Sequence, residues 1–332
     1  MPNLNVVNFA DAIRIQYENR LLTRAIPRLI HGRWLTMARL NKAGSYELRK
    51  YSGLAAISAT LASGLTPAEQ AAPGLSLTTI SPAFYGAWIG YTDQFDLEIF
   101  DPYVSEVSGI LGEQAGLSAD TIVRDFIIAN GTADYSNDAA SEAVLDAPAD
   151  NISYRDFLIQ MASFEASNPP SMSGPTPVIL HPHSYATLML DPVWVNLFTK
   201  ESDPLRTGFV GKLLNYEFYI TSNAYEGVDA GAGSTDTYAA IFIGPESIGA
   251  VGFAGTMPNM SGEGGPGPAS ASGTGKRVNP VTIIGKPLGS SGTEDPLNQR
   301  GTLGWKMNLG LGLLNADWTR VLYHTNIFSD VV

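Results

Sequence analysis

The apolar residues of this chain fall into two rhythms, every second residue in some stretches and every third or fourth in others. Asn8 to Arg28 has neither in full: its apolar positions (Phe9, Ile13, Ile15, Leu21, Leu22, Ile26) are scattered and Pro27 ends it. So thin a face makes a poor independent helix, and the arm needs a surface to lie on. Next, Tyr46 and Leu48 alternate with Glu47 and Arg49, the signature of a half-buried strand. Leu54 to Pro73 is mostly small residues, closed by Pro73-Gly74. A second strand is predicted from about Leu75 to Tyr91, with Ala83, Tyr85, Ala87, Ile89 and Tyr91 on one face and Phe84 and Trp88 on the other. A hairpin with large apolar residues on both faces has no solvent face, so its own body or other chains must cover it.

Helical spacing takes over at Asp101-Pro102, an N-cap followed by proline at the first helical position. Val104, Val107, Ile110, Leu111, Ile122, Phe126 and Ile127 predict one long helix, with a kink allowed near Gly116 and a stop at Asn130-Gly131. Ala133 to Asp150 reads as an acidic loop. Ser153 caps a further helix with the stripe Phe157, Leu158, Met161 and Phe164. Val178 to Leu180 reads as a short buried strand, and Tyr185, Leu188, Met189, Trp194, Leu197 and Phe198 as helix faces restarted at Asp191-Pro192. Strands follow around Tyr216 to Ile220, Tyr238 to Ile243 and Val281 to Ile284, and then Trp305 to Leu314 and Trp318 to His324. Gly255 to Gly275 is rich in Gly, Pro, Ser and Ala and reads as a surface loop. Strands and helices in irregular order predict an α+β fold rather than repeated βαβ units.

Charge changes this picture. The net charge is −12, yet residues 1–50 hold nine Lys/Arg against three acids, so the other 282 residues carry −18. Asp93 to Glu165 alone contains fifteen acids against Arg124 and Arg155. A basic arm on an acidic body suits head-to-tail contact between copies, or packing of the arm on its own body. An acidic body is the reverse of what direct nucleic-acid binding wants. Cysteine is absent, which excludes disulfides, thiolate catalysis and cysteine-ligated metals. Met1 to Ala10 has no secretory pattern, and no apolar run is long enough to span a membrane.

The search for chemistry yields no catalytic constellation and no cofactor site. Around Gly275-Lys276 a P-loop would need glycine at Ser270 and Ser or Thr at Arg277; Gly310-Leu311-Gly312 has Asn315 where a dinucleotide fingerprint wants glycine. Gly244 to Gly249 has the wrong spacing for a nucleophile elbow. His181-Pro182-His183 is a weak metal pair and reads better as a strand-end turn; His31 and His324 stand alone in the sequence. A chain with 32 acids offers chance pairs such as Asp93 with Asp96, and none argues a convergent site.

The order of elements is a thin arm, a two-faced hairpin, a long helix, a mixed centre and paired C-terminal strands. It resembles the major capsid proteins of tailed bacteriophages, whose fold is named after phage Hong Kong 97. Short phrases sharpen the likeness. Glu47-Leu48-Arg49-Lys50-Tyr51, Gly64-Leu65-Thr66-Pro67, Phe84-Tyr85-Gly86-Ala87, Leu180-His181-Pro182, Asp191-Pro192-Val193-Trp194 and the run Asp295 to Lys306 are similar to the family that includes the coat of coliphage N-four. The resemblance implies an N-arm (1–40), an E-loop (41–92), a peripheral domain with a spine helix (93–150), a mainly axial domain (151–294) holding the 255–275 loop, and C-terminal strands (295–332) returning to the peripheral domain. It implies a non-enzymatic virion protein, assembled in the host cytoplasm into pentamers and hexamers of an icosahedral shell around double-stranded DNA, which it encloses without reading sequence. A separate scaffolding protein, a portal and a decoration protein are the implied partners. Arg14, Arg20, Arg24, Arg28, Arg49, Leu61, Leu65, Tyr85 and Trp88 are the expected inter-subunit contacts. The alternative is another virion component, such as a decoration or adhesion protein.

Overall fold

The computed structural model describes residues 30–40, 44–58, 60, 63–64, 69–98, 103–167, 169, 175–191, 209–213, 216–253, 282–290 and 294–329. In chain order the elements are β1 (Thr36–Leu40), β2 (Tyr46–Tyr51), β3 (Leu75–Ile80), β4 (Ala83–Thr92), α1 (Asp93–Glu98), α2 (Tyr103–Asn130), β5 (Thr132–Tyr135), α3 (Tyr154–Ala166), β6 (Thr176–Leu180) and α4 (Pro182–Leu188). They continue with β7 (Phe209–Leu213), β8 (Tyr216–Ile220), β9 (Glu226–Gly227), β10 (Thr237–Ile243), β11 (Ile248–Phe253), β12 (Thr282–Lys286), β13 (Arg300–Leu313) and β14 (Thr319–His324).

Three sheets result. One joins β1, β11, β13 and β12, with β4 also paired to β13; a second runs β5-β14-β10-β6-β8-β7, with β9 beside β10; the third is the β2–β3 hairpin alone. The long helix α2 is a single helix running through Gly116, as its spacing predicts. Its buried residues Val107, Leu111, Ala115, Ala119, Val123 and Ile127 follow one another at every fourth position. That row lies against Leu303, Trp305, Met307 and Leu309 of β13 and against Ile241, Ile243 and Val321. Small Ala115 and Ala119 at its middle let the sheet approach closely, and the indole N–H of Trp305 donates to Gln114 at 3.0 Å. On the opposite side of β10, Ala240 and Phe242 meet Phe157, Met161 and Phe164 of α3, with Val178, Leu180 and Phe218. The helix α3 is capped by Ser153, as its sequence predicts, and Asp156 completes a capping box with it.

Several expectations are corrected. The second hairpin strand does not run unbroken to Tyr91. It stops at Ile80, and after Ser81-Pro82 the chain leaves the hairpin as β4 to pair with β13 along Ala83–Thr92. Ile110 and Leu158 are exposed, not part of the buried stripes. The acidic segment after the long helix opens with a strand, β5, parallel to β14. β11 was not anticipated: it is rich in Gly and Ala and shows no alternation, because it is inserted between β1 and β13. The C-terminal strands are not a pair, since β13 and β14 belong to different sheets. The end of the arm, Thr36–Leu40, is a body strand parallel to β11. The Asp101-Pro102 cap, the helix restart beyond Asp191, and the 255–275 loop lie outside the described residues.

Candidate assembly surfaces

The β2–β3 hairpin has two unlike faces. Pairing sets Tyr46 opposite Ile80, Leu48 opposite Thr78 and Lys50 opposite Ser76 on one face. This face is seated on its own body. Ile80 is buried with Leu40 and Val251, and Tyr46 and Leu48 pack around them. Gly249 and Gly312 make the seat: a Cβ at Gly249 would stand 3.1 Å from Leu48 Cδ1, and one at Gly312 would overlap Ile80. Further out, the Lys50 ammonium stands 5.2 Å over the Trp318 ring. The other face pairs Glu47 with Thr79, Arg49 with Leu77 and Tyr51 with Leu75. Here Tyr51, Leu75 and Leu77 are exposed, and Leu54 and Ile57 carry the apolar surface toward the tip.

A second open face belongs to the β4–β13–β12 part of the five-stranded sheet. Its inner side, with Tyr85, Ala87 and Tyr91, packs on the core beneath the long helix. Its outer side sets Trp88 opposite Gly304, Ile284 opposite the same Gly304, and Phe84 opposite Asn308. Trp88 is 73% exposed, and Phe84 and Ile284 are exposed too. The indole leans along the strand over Gly90, whose added Cβ would stand 3.4 Å from Cζ3. Lys306 lies on this side with its ammonium 4.3 Å over the Phe84 ring, and Lys286 and Arg300 share the side.

Of the contact residues expected from sequence, Arg49 and Trp88 are on these open faces. Tyr85 is half-buried and turned toward the chain's own core. Arg14, Arg20, Arg24, Arg28, Leu61 and Leu65 lie outside the described residues. Sequence reasoning did not single out Ile284, Lys286, Lys306 or Leu97. For the two lysines a signal was present in the strands: none of the five in this sheet holds an Asp or Glu, in a chain with 32.

The buried ionisable groups serve the fold. Asp120, on the long helix, accepts from the backbone N–H groups of Ile30 and His31 at 2.9 and 2.8 Å, and its second oxygen meets His31 Nδ1 and Asn223 Nδ2, each at 2.8 Å. Burial alone would raise this carboxyl; the His31 hydrogen bond and charge, helped by Asn223, outweigh it and hold it below its ordinary value. The pair fastens the Ile30–His31 segment to the long helix. His181 is the N-cap of α4, its Nδ1 accepting from the His183 N–H at 3.2 Å, so the strand-end reading of His-Pro-His is the structural one. His183 Nδ1 lies 3.2 Å from the Tyr238 hydroxyl, which donates to Glu226 at 2.8 Å. His324 is stacked on Tyr238 from the neighbouring strand. Burial brings both His181 and His324 down to about 4. Among the described residues no group of His, Asp or Glu is arranged to hold a metal ion. A cleft of about 270 Å³ is lined by Asp134, Asp138 and Asp156, among others. Each has a structural partner: Asp134 takes Gln160 and Arg320, Asp138 takes Arg155, and Asp156 closes the capping box.

No protein-family model and no curated protein matches this sequence. Solved structures do. The capsid of cyanophage P-SCSP1u superimposes with a TM-score of 0.62 at 12% identity, covering 90% of this chain and 88% of that one. The capsid of Ralstonia phage GP4 gives 0.59 at 11%, with the same coverage. The capsid of cyanophage Pam1 gives 0.55 at 13%, covering 86% of each chain. The chain has the Hong Kong 97-type capsid fold. In this capsid fold the open hairpin face and the open sheet face are built on separate elements, one seated by glycines and the other backed by the long helix.

Proposed function

We propose that this chain is the major capsid protein of a tailed bacteriophage, closing into pentamers and hexamers of an icosahedral shell around packaged double-stranded DNA. One observation carries the reading: likeness to phage capsid chains extends over about nine tenths of this chain and of theirs. The two open apolar faces support it, because exposed patches of this kind mark association surfaces. The short sequence phrases favour the family that includes the coat of coliphage N-four. In this reading 1–40 is the N-arm, 41–92 the E-loop, 93–150 the peripheral domain with its spine helix, and 151–294 mainly the axial domain, with 295–332 returning to the peripheral one. The protein resides in the virion, is assembled in the host cytoplasm, performs no catalysis, and works with a scaffolding protein, a portal and a decoration protein. DNA is enclosed without base readout, in keeping with a net charge of −12. Electron microscopy of the purified chain, alone and with the phage's other structural proteins, tests the proposal. Shells, tubes or ring-shaped capsomers are expected; a monomer at every salt and protein concentration overturns it.

A further inference from the structure

The outer side of β4–β13–β12 and the short helix Asp93–Glu98 have complementary chemistry, and they sit on the same chain. The sheet face offers exposed Trp88, Phe84 and Ile284 among the cations Lys286, Lys306 and Arg300, with no acid in any of its strands. The helix Asp-Gln-Phe-Asp-Leu-Glu offers Asp93, Asp96 and Glu98, and it buries no residue in its own subunit. Leu97 is 85% exposed there, and Phe95 is exposed as well, its ring edge-on to Tyr103 with 4.6 Å between centroids. An apolar side chain held out at this exposure on a folded helix is a candidate anchor, and an aromatic platform ringed by cations is a candidate seat.

We propose that Asp93–Glu98 of one copy docks on the outer β4–β13–β12 face of the next, with Leu97 against Trp88 and Ile284, and Asp96 and Glu98 toward Lys306 and Lys286. This inference rests on the shell reading and adds to it a specific pairing. The contact is head-to-tail, because seat and anchor are different patches; such contacts close into rings when the rotation allows, as capsomers require. The cations do more for register and encounter than for final stability. A phosphate backbone is the disfavoured occupant, since three cations on a chain of net charge −12 make a weak nucleic-acid footprint.

The test uses the full chain under conditions where it assembles. Lys286→Glu with Lys306→Glu should lower capsomer and shell yield about tenfold or more, since like charges meet across the contact. Asp96→Lys with Glu98→Lys should do the same, and the chain carrying all four changes should recover assembly. Because the protein has no cysteine, Leu97→Cys with Ile284→Cys in one chain should give disulfide-linked multimers on mild oxidation of the particles, while either change alone leaves monomers on a denaturing gel. Shells that form unchanged with the reversed lysines and give no multimers overturn the pairing and leave the shell reading standing. Normal shells that lose packaged DNA would assign the face to nucleic acid and equally overturn it. A wild-type chain that never assembles overturns both.

Discussion

The two large sheets of this protein are built from similar residues and have opposite relations to solvent. In the seven-stranded sheet every residue of β10 is buried: Ala239, Ile241 and Ile243 face the long helix, and Ala240 and Phe242 face α3. In the five-stranded sheet β4 is covered on one side only, and its other side leaves Trp88 and Phe84 in the open. Both sheets receive the same long helix on one face. They differ in that α3 closes the second face of one, and no described element closes the second face of the other. A sheet side that is apolar and aromatic and that no described element covers is a candidate association surface.

The largest difference should appear when a big aromatic is removed from each sheet. Phe242, fully buried between Phe157 and Tyr216, leaves a cavity when it becomes Ala. Urea unfolding of the unassembled subunit should show a loss of about 3–5 kcal/mol. A loss under about 1 kcal/mol would mean that the covered sheet is no better packed than the open one.

Next in size is the effect of acid, which acts on the covered sheet through His181 and His324. Unfolded, each imidazole titrates near 6.5; in the fold burial holds each at about 4. Above pH 6.5 neither state takes the proton, and stability is independent of these rings. As pH falls from 6.5 toward 4 the unfolded chain binds protons that the fold refuses. Stability should then drop by about 1.4 kcal/mol per unit and site, or about 3 kcal/mol for one ring. Between pH 6.5 and 5, before most carboxylates titrate, His324→Gln should reduce this slope by about half. An unchanged slope would count against the buried neutral ring.

These contrasts also mark what the sequence discloses. The Ser153 helix cap, the alternation at Tyr46 to Arg49 and the long helix carrying Val107, Leu111 and Ile127 are local patterns, and each appears where the pattern puts it. The hairpin's exit at Ser81-Pro82 was not legible, because Phe84 to Tyr91 alternates as well in β4 as it would in a hairpin. β11 was missed for a related reason: Gly249 and Gly252 take the place of the large side chains that give strands their period, and Gly249 is needed to seat Leu48 and Ile80. The partner of His31 is Asp120, 89 residues away, and spacing carries no sign of it. Of the open faces, Trp88 was visible as an outward residue, whereas Lys306 and Ile284 become neighbours of it only through pairing with β13.

A smaller effect is expected at the hairpin's seat. Gly312→Ala places a methyl where Ile80 packs. Overpacking of this kind costs about 1–3 kcal/mol, and it should act locally by lifting the hairpin base. Limited proteolysis should cut the hairpin faster while the seven-stranded sheet stays protected from hydrogen exchange. Ile80→Val in the same chain should recover part of the loss, since it removes one of the overlapping carbons. No recovery would mean that the strain spreads into β11 and β13.

The smallest effect on the isolated subunit belongs to Trp88. The side chain is 73% exposed, and its neighbours Gly90 and Gly304 offer no side-chain atoms to lose. Trp88→Ser should therefore change subunit stability by less than about 1 kcal/mol, as surface substitutions usually do. Large exposed aromatics at association surfaces behave oppositely once a partner is present, where truncation of a central anchor costs 2 kcal/mol or more by the order of magnitude seen in interfaces (about 2–4). The same substitution should then depress assembly from purified subunits at least about tenfold, read by light scattering and by counting particles in micrographs. Trp88→Phe, which keeps an aromatic body, should assemble far better than Trp88→Ser. If Trp88→Ser instead unfolds the subunit as Phe242→Ala does, the outer face is part of the subunit's own core and the contrast between the two sheets fails. If it leaves both stability and assembly untouched, the face is open without being an interface.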